Sequence, residues 1–535
     1  MSFASLFPEV EIPSTSVYDY LFGGLDAANL DRIALVDAES GRQTSYRDMI
    51  ARIDAFAGAL ADCGVGVGDV VGLLSPNSSG FAVAFHGILR AGATATTINA
   101  LFTAKDIAKQ LADSKARMLV TVEALLPQSK EAVAAVGLSD ADLVVLDGEG
   151  RDAAGHPNYA ELIGKGLPAP QVDFAPSSHL AALPYSSGTT GIPKGVMLTH
   201  RNLVANVAQI RPVSGIVPED VVLAVLPFFH IYGMTVLLNA ALHARARLVV
   251  MRGFDLAEFV GNIQNHKCTI AFIAPPIAVA LAKHPLIDDY DLSSLNVVMS
   301  GAAPLDADLG HAVAERVGCR VVQAYGMSEL SPASHVTPFD GGMQKMGRVA
   351  PLSSVGWTVP NAASKLVHPD TGEEIGIPTE GLSETGELWF KGPNVMAGYL
   401  GNEQATREII DGEGWLHTGD LARVDSRGCV YIVDRLKELI KYKGYQVPPA
   451  ELEAVLLGHP SIADAAVIGV KDAEGEEVPK AFVVRQSGVE LTADEVIDFV
   501  AGQVAPYKKV RQVAFIDAIP KSTSGKILRK DLPPA

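Results

Sequence analysis

Cysteine is scarce in this sequence, which has four in 535 residues. They lie far apart and form no C-x-x-C pair, which excludes a zinc ribbon or a dithiol redox motif. No stretch reaches the roughly 18 uninterrupted apolar residues of a membrane span. The opening residues, M-S-F-A-S-L-F-P-E-V-E, lack the basic start and long apolar run of a secretory signal. We therefore expect a cytoplasmic protein with reduced thiols and no integral membrane segment.

Basic residues are outnumbered in this chain. Lys and Arg number 43 against 61 Asp and Glu, which gives a formal net charge of -18. An electric field of that sign repels a polyphosphate backbone, so a nucleic-acid partner is not expected. The segments 435–443 and 508–511, where lysine and arginine are concentrated, can still bind small anions.

Apolar runs of strand length alternate with helical patterns along most of the chain, which indicates an α/β fold with parallel and mixed sheets flanked by helices. Ser45 is a predicted cap for a helix with apolar residues at helical spacing, and Gly64 is predicted to end it. Further strands are predicted at 70–74, 118–122, 143–146, 248–251, 269–273, 297–299 and 320–323.

The length of the chain predicts more than one domain. Shorter strands with glycine-rich turns at 352–433 indicate a β-rich subdomain. The segment after it has its own alternation of strands and helices and is long enough for a small α+β domain. We therefore predict an N-terminal domain at 1–436 and a C-terminal domain at 437–535, with the boundary at Lys437.

Two predicted strands run directly into small and polar residues. The strand at 297–299 leads into S-G-A-A-P, and the strand ending at Gln323 leads into A-Y-G-M-S-E. In open α/β sheets, ligands bind beyond the carboxyl ends of the strands. These two junctions are therefore the predicted place for a binding site.

The segment Y-S-S-G-T-T-G-I-P-K-G at 185–195 concentrates hydroxyl groups, glycines and a lysine in a short loop. Backbone N–H groups, hydroxyls and a lysine suit phosphate oxygens. The loop is not a P-loop, because Lys194 stands between Pro193 and Gly195 instead of preceding Ser or Thr. A flexible surface loop is the structural alternative.

This loop and six further motifs occur in a fixed order along the chain: L-P-F-F-H-I-Y at 226–232, S-G-A-A-P at 300–304, Q-A-Y-G-M-S-E at 323–329, G-W-L-H-T-G-D at 414–420, D-R-L-K-E-L-I-K-Y-K-G-Y-Q at 434–446 and P-K-S-T-S-G-K at 520–526. The series resembles the adenylate-forming superfamily, which includes acyl-CoA synthetases, peptide adenylation domains and beetle luciferases. The last two motifs are most similar to those of the 4-coumarate-CoA ligases.

The resemblance implies an enzyme that joins a carboxylic acid to ATP as an acyl-adenylate and passes the acyl group to coenzyme A, with Mg²⁺ as the metal. The predicted acid is hydrophobic and arylpropenoic. A medium-chain or long-chain fatty acid stays open, since Ala324 adds a methyl group where the 4-coumarate ligases usually carry glycine. A luciferase-like oxidoreductase and an acyl-AMP ligase that loads a carrier protein stay open as well. An amino acid is disfavoured, because F-F-H-I-Y-G-M-T offers no aspartate for an amine.

The resemblance also implies roles for individual residues. Lys526 would bridge the acid carboxylate and the α-phosphate, and Glu329 with Thr189 would hold the metal. His230 would gate the acid pocket, while Lys441 and Gln446 would touch the adenylate. The implied contacts to ATP and AMP are Ser186, Ser187, Gly188, Thr189, Thr190, Lys194, Gln323, Ala324, Tyr325, Gly326, Ser328, Asp420 and Arg435.

The remaining implied residues belong to the acid pocket and to the CoA site. Those for the acid pocket are Tyr232, Gly301, Ala302, Ala324, Gly326, Leu330 and Ser331, with the segment 273–276. Those for CoA are Arg252, Lys443 and Gly444, and Lys437 would be the hinge of a mobile C-terminal domain. Each residue type also has an ordinary structural use: a buried histidine is usually hydrogen-bonded in the core, an aspartate after a turn usually caps backbone, and a loop lysine is usually solvated.

Overall fold

The protein was analysed as a computed structural model, and the structure describes residues 2–147, 156–186, 193–340, 342–343, 347–442, 445–472, 477–523 and 525–533. Of residues 342, 343 and 446 only the backbone is described. Among the helices in these ranges, none has the length and apolar character that crossing a bilayer requires.

The largest sheet within the described residues is parallel at its centre and antiparallel at both edges. Its core strands are almost wholly apolar, as expected of parallel strands that are covered on both faces. In spatial order the strands are Trp357–Thr358, Ala333–Val336, Arg320–Gly326, Val297–Ser300, Ile270–Ile273, Val221–Ala224, Arg247–Val250, Ile33–Asp37 and Gln43–Ser45.

A second sheet of mixed direction lies beside it. The strands of its parallel part follow the βαβ pattern, and an antiparallel edge carries the loop with the phosphate motif. In spatial order the strands are Gly398–Tyr399, Lys194–Thr199, Leu180–Ala182, Thr94–Ile98, Val70–Leu74, Met118–Thr121 and Leu143–Val145, with Tyr185–Ser186 also paired to Lys194–Thr199.

The β-rich region predicted from short strands and glycine turns forms an antiparallel sheet. Its strands are Phe3–Ala4, Ala363–Val367, Gly386–Lys391, Leu416–Val424 and Val430–Arg435 in that order, with Glu374–Ile375 beside Ala363–Val367. The strand pair Gly342–Met343 and Arg348–Val349 stands apart from it. After residue 437 come the hairpin Ile440–Tyr442 and Tyr445–Val447 and a sheet of Ile462–Lys471, Glu477–Arg485 and Gln512–Phe515.

Helices cover the faces of these sheets. The α-helices are Val17–Phe22, Ala27–Leu30, Tyr46–Asp62, Ser79–Arg90, Ala104–Ser114, Leu126–Ala135, Tyr159–Gly164, His200–Ser214, Ala240–His243, Leu256–His266, Pro275–Lys283, Ala307–Val317, Glu403–Ile409, Pro449–Leu457 and Ala493–Ala501. The 3₁₀ turns are Glu123–Leu125, Asp140–Asp142, Pro285–Asp289, Ser328–Leu330, Pro506–Lys508 and Arg529–Asp531, and Tyr232–Asn239 is a π-helix.

The predicted helix after Ser45 is observed at Tyr46–Asp62. The Ser45 side chain accepts a hydrogen bond from the Asp48 N–H, which caps the helix. Its apolar stripe faces the core, where Ile53 and Phe56 are fully buried. Each predicted strand is present, with bounds within three residues of the prediction. The predicted α/β class is therefore confirmed, while the domain boundary at Lys437 stays a prediction.

Candidate active site

The two strand ends predicted to form a site are neighbours in the largest sheet, where Ser300 is in register with Gln323. Gln323 is buried, and its side-chain amide binds backbone on both sides. It donates to the carbonyls of Leu305 at 2.9 Å and Leu352 at 2.6 Å, and it accepts from the Leu305 N–H at 2.9 Å. Gln323 therefore holds the S-G-A-A-P loop against the strand, and its direct contact with a nucleotide stays a prediction.

Glu329 lies on the 3₁₀ turn Ser328–Leu330 beyond the second strand end and is only 3% exposed. Its Oε1 accepts two hydrogen bonds, from the Ser186 hydroxyl at 2.9 Å and from the Tyr399 hydroxyl at 2.8 Å. Lys194 lies alongside, with its Nζ 4.9 Å from the centre of the Tyr399 ring. The buried Glu329 carboxylate therefore binds one hydroxyl of the phosphate motif, that of Ser186, and the Tyr399 hydroxyl, and the lysine of the motif lies against the Tyr399 ring.

Asp420 forms the second polar centre, with Tyr325 and Arg435. Its Oδ2 accepts a 2.5 Å hydrogen bond from the Tyr325 hydroxyl, and its Oδ1 lies 3.2 Å from Arg435 Nε. Burial raises the pKa of Asp420, whereas Arg435 and the Tyr325 hydroxyl act in the opposite direction. The carboxylate is held by one cation and one donor, which suits it to accept further hydrogen bonds from paired hydroxyls.

Lys526 reaches this region from the C-terminal end of the chain. Burial and the neighbouring Arg435 charge lower the pKa of Lys526 to about 8, while Glu438 and Asp420 oppose the shift. His230 interacts electrostatically with Lys526, and burial together with that charge lowers the pKa of His230 to about 4. Because the Tyr232 N–H donates to His230 Nδ1 at 3.3 Å, the neutral ring carries its proton on Nε2.

The loop before Lys526 touches the main body of the protein at Gly525. This glycine has a φ of +83°, and a Cβ there would lie 2.9 Å from Ala274 Cβ and 3.4 Å from Pro276 Cδ. The contact fixes how deeply the lysine enters the site, because only a residue without a side chain fits both the conformation and the space.

We expect Gly525→Ala to slow acyl-adenylate formation by about 10- to 100-fold, since a displacement of the loop misplaces the lysine. The matched control is Gly488→Ala, which has a similar φ of +76° and no atom within 4 Å of its Cβ position. Pyrophosphate exchange measures the first half-reaction. Thioester formation from supplied acyl-adenylate measures the second. Equal losses in Gly525→Ala and Gly488→Ala would count against the contact.

Two parts of the sequence match known families: residues 26–400 the AMP-binding enzyme family and residues 451–526 the AMP-binding enzyme C-terminal domain. The chain belongs to the AMP-binding enzyme family. It is 43% identical to 4-coumarate--CoA ligase 5 of Oryza sativa subsp. japonica, over 99% of this chain and 96% of that protein. It is 41% identical to 4-coumarate--CoA ligase 2 of Nicotiana tabacum over the same shares.

Solved structures agree with this membership. The anthranilate CoA ligase AuaEII in complex with anthranoyl-AMP superposes with a TM-score of 0.86 at 26% identity, covering 97% of this chain and 96% of that one. The benzoate CoA ligase from Burkholderia xenovorans LB400 superposes with a TM-score of 0.84 at 26% identity, covering 97% of this chain and 99% of that one. The predictions of an adenylate-forming enzyme and of an ATP-dependent, AMP-forming carboxylate-CoA ligase are thereby confirmed.

Tyr232, which is predicted to line the acid pocket of this AMP-binding enzyme, is the first residue of the π-helix. Its hydroxyl donates to the Met299 carbonyl at 3.3 Å, and its ring packs edge-on to Phe272. A Cβ at Gly301 would lie 2.9 Å from the ring, so the missing side chain leaves room for it. Tyr232 and Gly301 therefore form one rigid wall.

The other residues predicted for the pocket divide into two groups. Ala324 is half-buried, while Gly326 and Ala302 are exposed, Ala302 with a φ of +70°. Leu330 and Ser331 are fully buried, and the Ser331 hydroxyl donates to the Asn394 carbonyl at 2.8 Å. The last two lie in the core behind the site, so their contact with the acid stays a prediction.

Lys441 and Gln446, which are predicted to touch the adenylate, lie on the C-terminal hairpin, whereas Arg252, which is predicted to bind CoA, lies in the N-terminal part of the chain. Lys441 is exposed on a hairpin, where it pairs with Gln446 and its N–H donates to the Glu477 carboxylate at 2.9 Å. Arg252 is exposed after the strand Arg247–Val250. Ser187, Gly188, Thr189, Thr190, Lys443 and Gly444 lie outside the described residues.

The predicted hinge, Lys437, is an exposed turn residue between the β-rich sheet and this hairpin. Just before it, Asp434 Oδ2 accepts a 3.0 Å hydrogen bond from the Ala450 N–H, at the start of the helix Pro449–Leu457. Just after it, Glu438 Oε2 lies 2.9 Å from Arg529 Nε, and Arg529 also pairs with Glu453. Contacts of charged side chains therefore flank the predicted hinge on both sides.

Sequence reasoning overlooked Tyr399 in this AMP-binding enzyme. Seventy residues separate it from Glu329, and its strand, Gly398–Tyr399, is only two residues long. A strand of this length shows no periodicity from which its neighbours in the sheet could be predicted. The one available signal is its position in M-A-G-Y-L at 396–400, a glycine-containing turn that ends beside a polar segment.

Proposed function

We propose that this chain converts a 4-coumarate-like acid, ATP and CoA into the acyl-CoA, AMP and pyrophosphate. The observation that carries the proposal is the position of the half-buried Lys526, which is close enough to Arg435, Asp420 and His230 to interact electrostatically with each of them. The carboxylate and the α-phosphate are both anions, so a positive charge placed between them removes the main obstacle to their reaction.

In the first half-reaction, a carboxylate oxygen of the acid bonds to the α-phosphorus as the bond to pyrophosphate breaks. Lys526 neutralises both anions, and Lys194 faces the departing phosphates. Asp420 receives the ribose hydroxyls, because Tyr325 and Arg435 fix its orientation. The neutral His230 offers its Nε2–H as a hydrogen-bond donor to the reacting carboxylate or phosphate.

Glu329 fits the Mg²⁺ that this chemistry uses. Its Oε1 is occupied by two donors, whereas its Oε2 has no hydrogen-bond partner among the described residues. The same residues contain no group of three or more His, Cys, Asp or Glu that would enclose a metal. One carboxylate oxygen suits Mg²⁺, which takes its other ligands from phosphate and water. When bound, the metal supplies charge neutralisation to the phosphates.

In the second half-reaction, the CoA sulfur bonds to the acyl carbon, its proton passes to solvent, and the bond to AMP breaks. Lys441, which is exposed, and Gln446 lie opposite each other on the hairpin, while Lys526 lies near Arg435 and Asp420. Rotation of the C-terminal segment about Lys437 brings this hairpin to the adenylate and withdraws Lys526, with Lys443, Gly444 and Arg252 facing CoA. Rotation about a few hinge residues is an ordinary closure mechanism.

The acid class follows from the relatives and from the pocket wall. Proteins named 4-coumarate--CoA ligase match 99% of the chain at 40–43% identity. The rigid wall of Tyr232 and Gly301 suits a flat, stiff acid, because it does not need to reshape around a flexible chain.

A panel of cinnamic, benzoic and saturated fatty acids tests the proposal through pyrophosphate release with and without CoA. We expect kcat/KM for hydroxycinnamic acids to exceed that for fatty acids of similar length by about 10-fold or more. Omitting CoA is expected to stop turnover at the adenylate, and chelation of Mg²⁺ is expected to stop adenylate formation. A preference for fatty acids would overturn the acid class, and turnover that requires a carrier protein or O₂ would overturn the acceptor.

A further inference from the structure

Glu329 is held from one side only. Both of its donors, the Ser186 hydroxyl and the Tyr399 hydroxyl, bind Oε1, at 2.9 and 2.8 Å. Two donors on one oxygen fix the plane of the carboxylate, because a partial rotation about its last bond breaks both hydrogen bonds and a half turn only exchanges two equivalent oxygens. The geometry therefore sets where the second oxygen of Glu329 lies.

Tyr399 is itself held by backbone contacts on both sides. Its strand pairs with Lys194–Thr199, with Val196 opposite Tyr399. Its N–H donates to the Thr406 hydroxyl at 2.9 Å, and the next residue, Leu400, donates to the Gly195 carbonyl at 2.9 Å. The ring is 5% exposed. A side chain fixed in this way presents its hydroxyl at a constant position.

The same ring also contacts the lysine of the phosphate motif. Lys194 Nζ lies 4.9 Å from the ring centre, within the range of a cation–π interaction. The face of Tyr399 therefore meets the cation, and its hydroxyl meets the carboxylate. Both partners are residues that the proposed function places on the phosphates and their metal.

We propose that Tyr399 is a positioning residue for the metal site, which aims Glu329 Oε2 at the Mg²⁺ of bound ATP and holds Lys194 beside the same phosphates. This inference rests on the proposed function, because it takes Glu329 to be the metal-binding carboxylate. Tyr399 does not touch the nucleotide in this arrangement. It acts through the orientation of its two partners.

Tyr399→Phe tests the hydroxyl alone, since the ring that faces Lys194 is kept. Because hydrogen bonds to charged groups are stronger than those between neutral groups, we expect the Mg²⁺ concentration for half-maximal pyrophosphate exchange to rise about 10-fold or more. At saturating Mg²⁺ the exchange rate should return to within about threefold of the original. Electron paramagnetic resonance of Mn²⁺ with a non-hydrolysable ATP analogue should give a matching loss of metal affinity.

Tyr431→Phe is the matched control. The Tyr431 hydroxyl donates to another carboxylate, Asp425, at 3.0 Å, at the far end of the β-rich sheet. The control should leave the Mg²⁺ dependence and Mn²⁺ affinity unchanged. An unaltered Mg²⁺ dependence in Tyr399→Phe, or a rate loss that Mg²⁺ does not restore, would overturn the inference.

The variant Glu329→Gln distinguishes a failure of this inference from a failure of the metal-binding role proposed for Glu329. If Glu329→Gln loses Mn²⁺ affinity and Tyr399→Phe does not, Glu329 binds the metal without help from Tyr399. If neither variant loses Mn²⁺ affinity, the metal role of Glu329 is wrong as well. Binding of AMP without metal, measured by calorimetry, should stay within about twofold in all three variants and shows that each folds.

Discussion

Lys526→Ala is expected to slow acyl-adenylate formation by about 10³-fold, the order of loss seen when one preorganised donor to a developing charge is removed. The affinity for ATP should change by less than about threefold, because Glu329, Lys194 and Asp420 keep their contacts. Pyrophosphate exchange measures the rate, and calorimetry with a non-hydrolysable analogue measures the affinity. Transfer from supplied acyl-adenylate to CoA should continue, since this lysine is not used there.

The pH dependence of adenylation provides a control for the role of Lys526. Burial, with Arg435 nearby, lowers the pKa of Lys526 to about 8. As the pH rises through that value the lysine loses the charge that the reaction needs, so kcat/KM for adenylation should fall on the alkaline side. The decrease in kcat/KM at alkaline pH should be absent in Lys526→Arg, since a guanidinium stays charged. An unchanged decrease in Lys526→Arg would assign the titration to another group.

Asp420→Asn is expected to raise the KM for ATP by about 30- to 100-fold, because a charged acceptor for the ribose is replaced by a neutral amide. The enzyme should also discriminate against 2′-deoxy-ATP, and Asp420→Asn should not. Measuring both enzymes with both nucleotides gives a cycle in which the substitution at Asp420 and the loss of the 2′-hydroxyl are the two changes. The non-additive part of their effects isolates the contact between this carboxylate and the ribose.

The chain contains its own control for this substitution. Asp425 is also 5% exposed, pairs with Arg427 at 2.6 Å and accepts from the Tyr431 hydroxyl, so it repeats the tyrosine, aspartate and arginine grouping of Asp420. Asp425→Asn should lower the melting temperature without changing the KM for ATP. A comparable rise in KM would show that the effect of Asp420→Asn comes from weakened packing of the sheet.

Local sequence rules accounted for much of the fold. The helix after Ser45 and the strand Val70–Leu74 were predictable because spacing, caps and apolar runs are properties of neighbouring residues. The π-helix that begins at Tyr232 was not, because the spacing of its apolar residues does not distinguish its wider turns from those of an α-helix.

The site was predictable only in part. The motifs identified Glu329 and Asp420, but they did not indicate which atoms hold them. Gln323 was predicted to face the nucleotide, whereas its amide is engaged by the backbone of Leu305 and Leu352. Tyr399 was overlooked because its function depends on pairing with a strand about two hundred residues earlier.

The hydrogen bond from Ala450 to Asp434 joins the two sides of the predicted pivot. The helix Pro449–Leu457 begins with prolines and has no side-chain cap of its own, so Asp434 provides the acceptor for its first turn. A rotation at Lys437 separates donor from acceptor, and water must then replace the carboxylate. Each catalytic cycle would thus include the uncapping and recapping of one helix, which makes the balance between the two half-reactions sensitive to the solvation of a single backbone N–H.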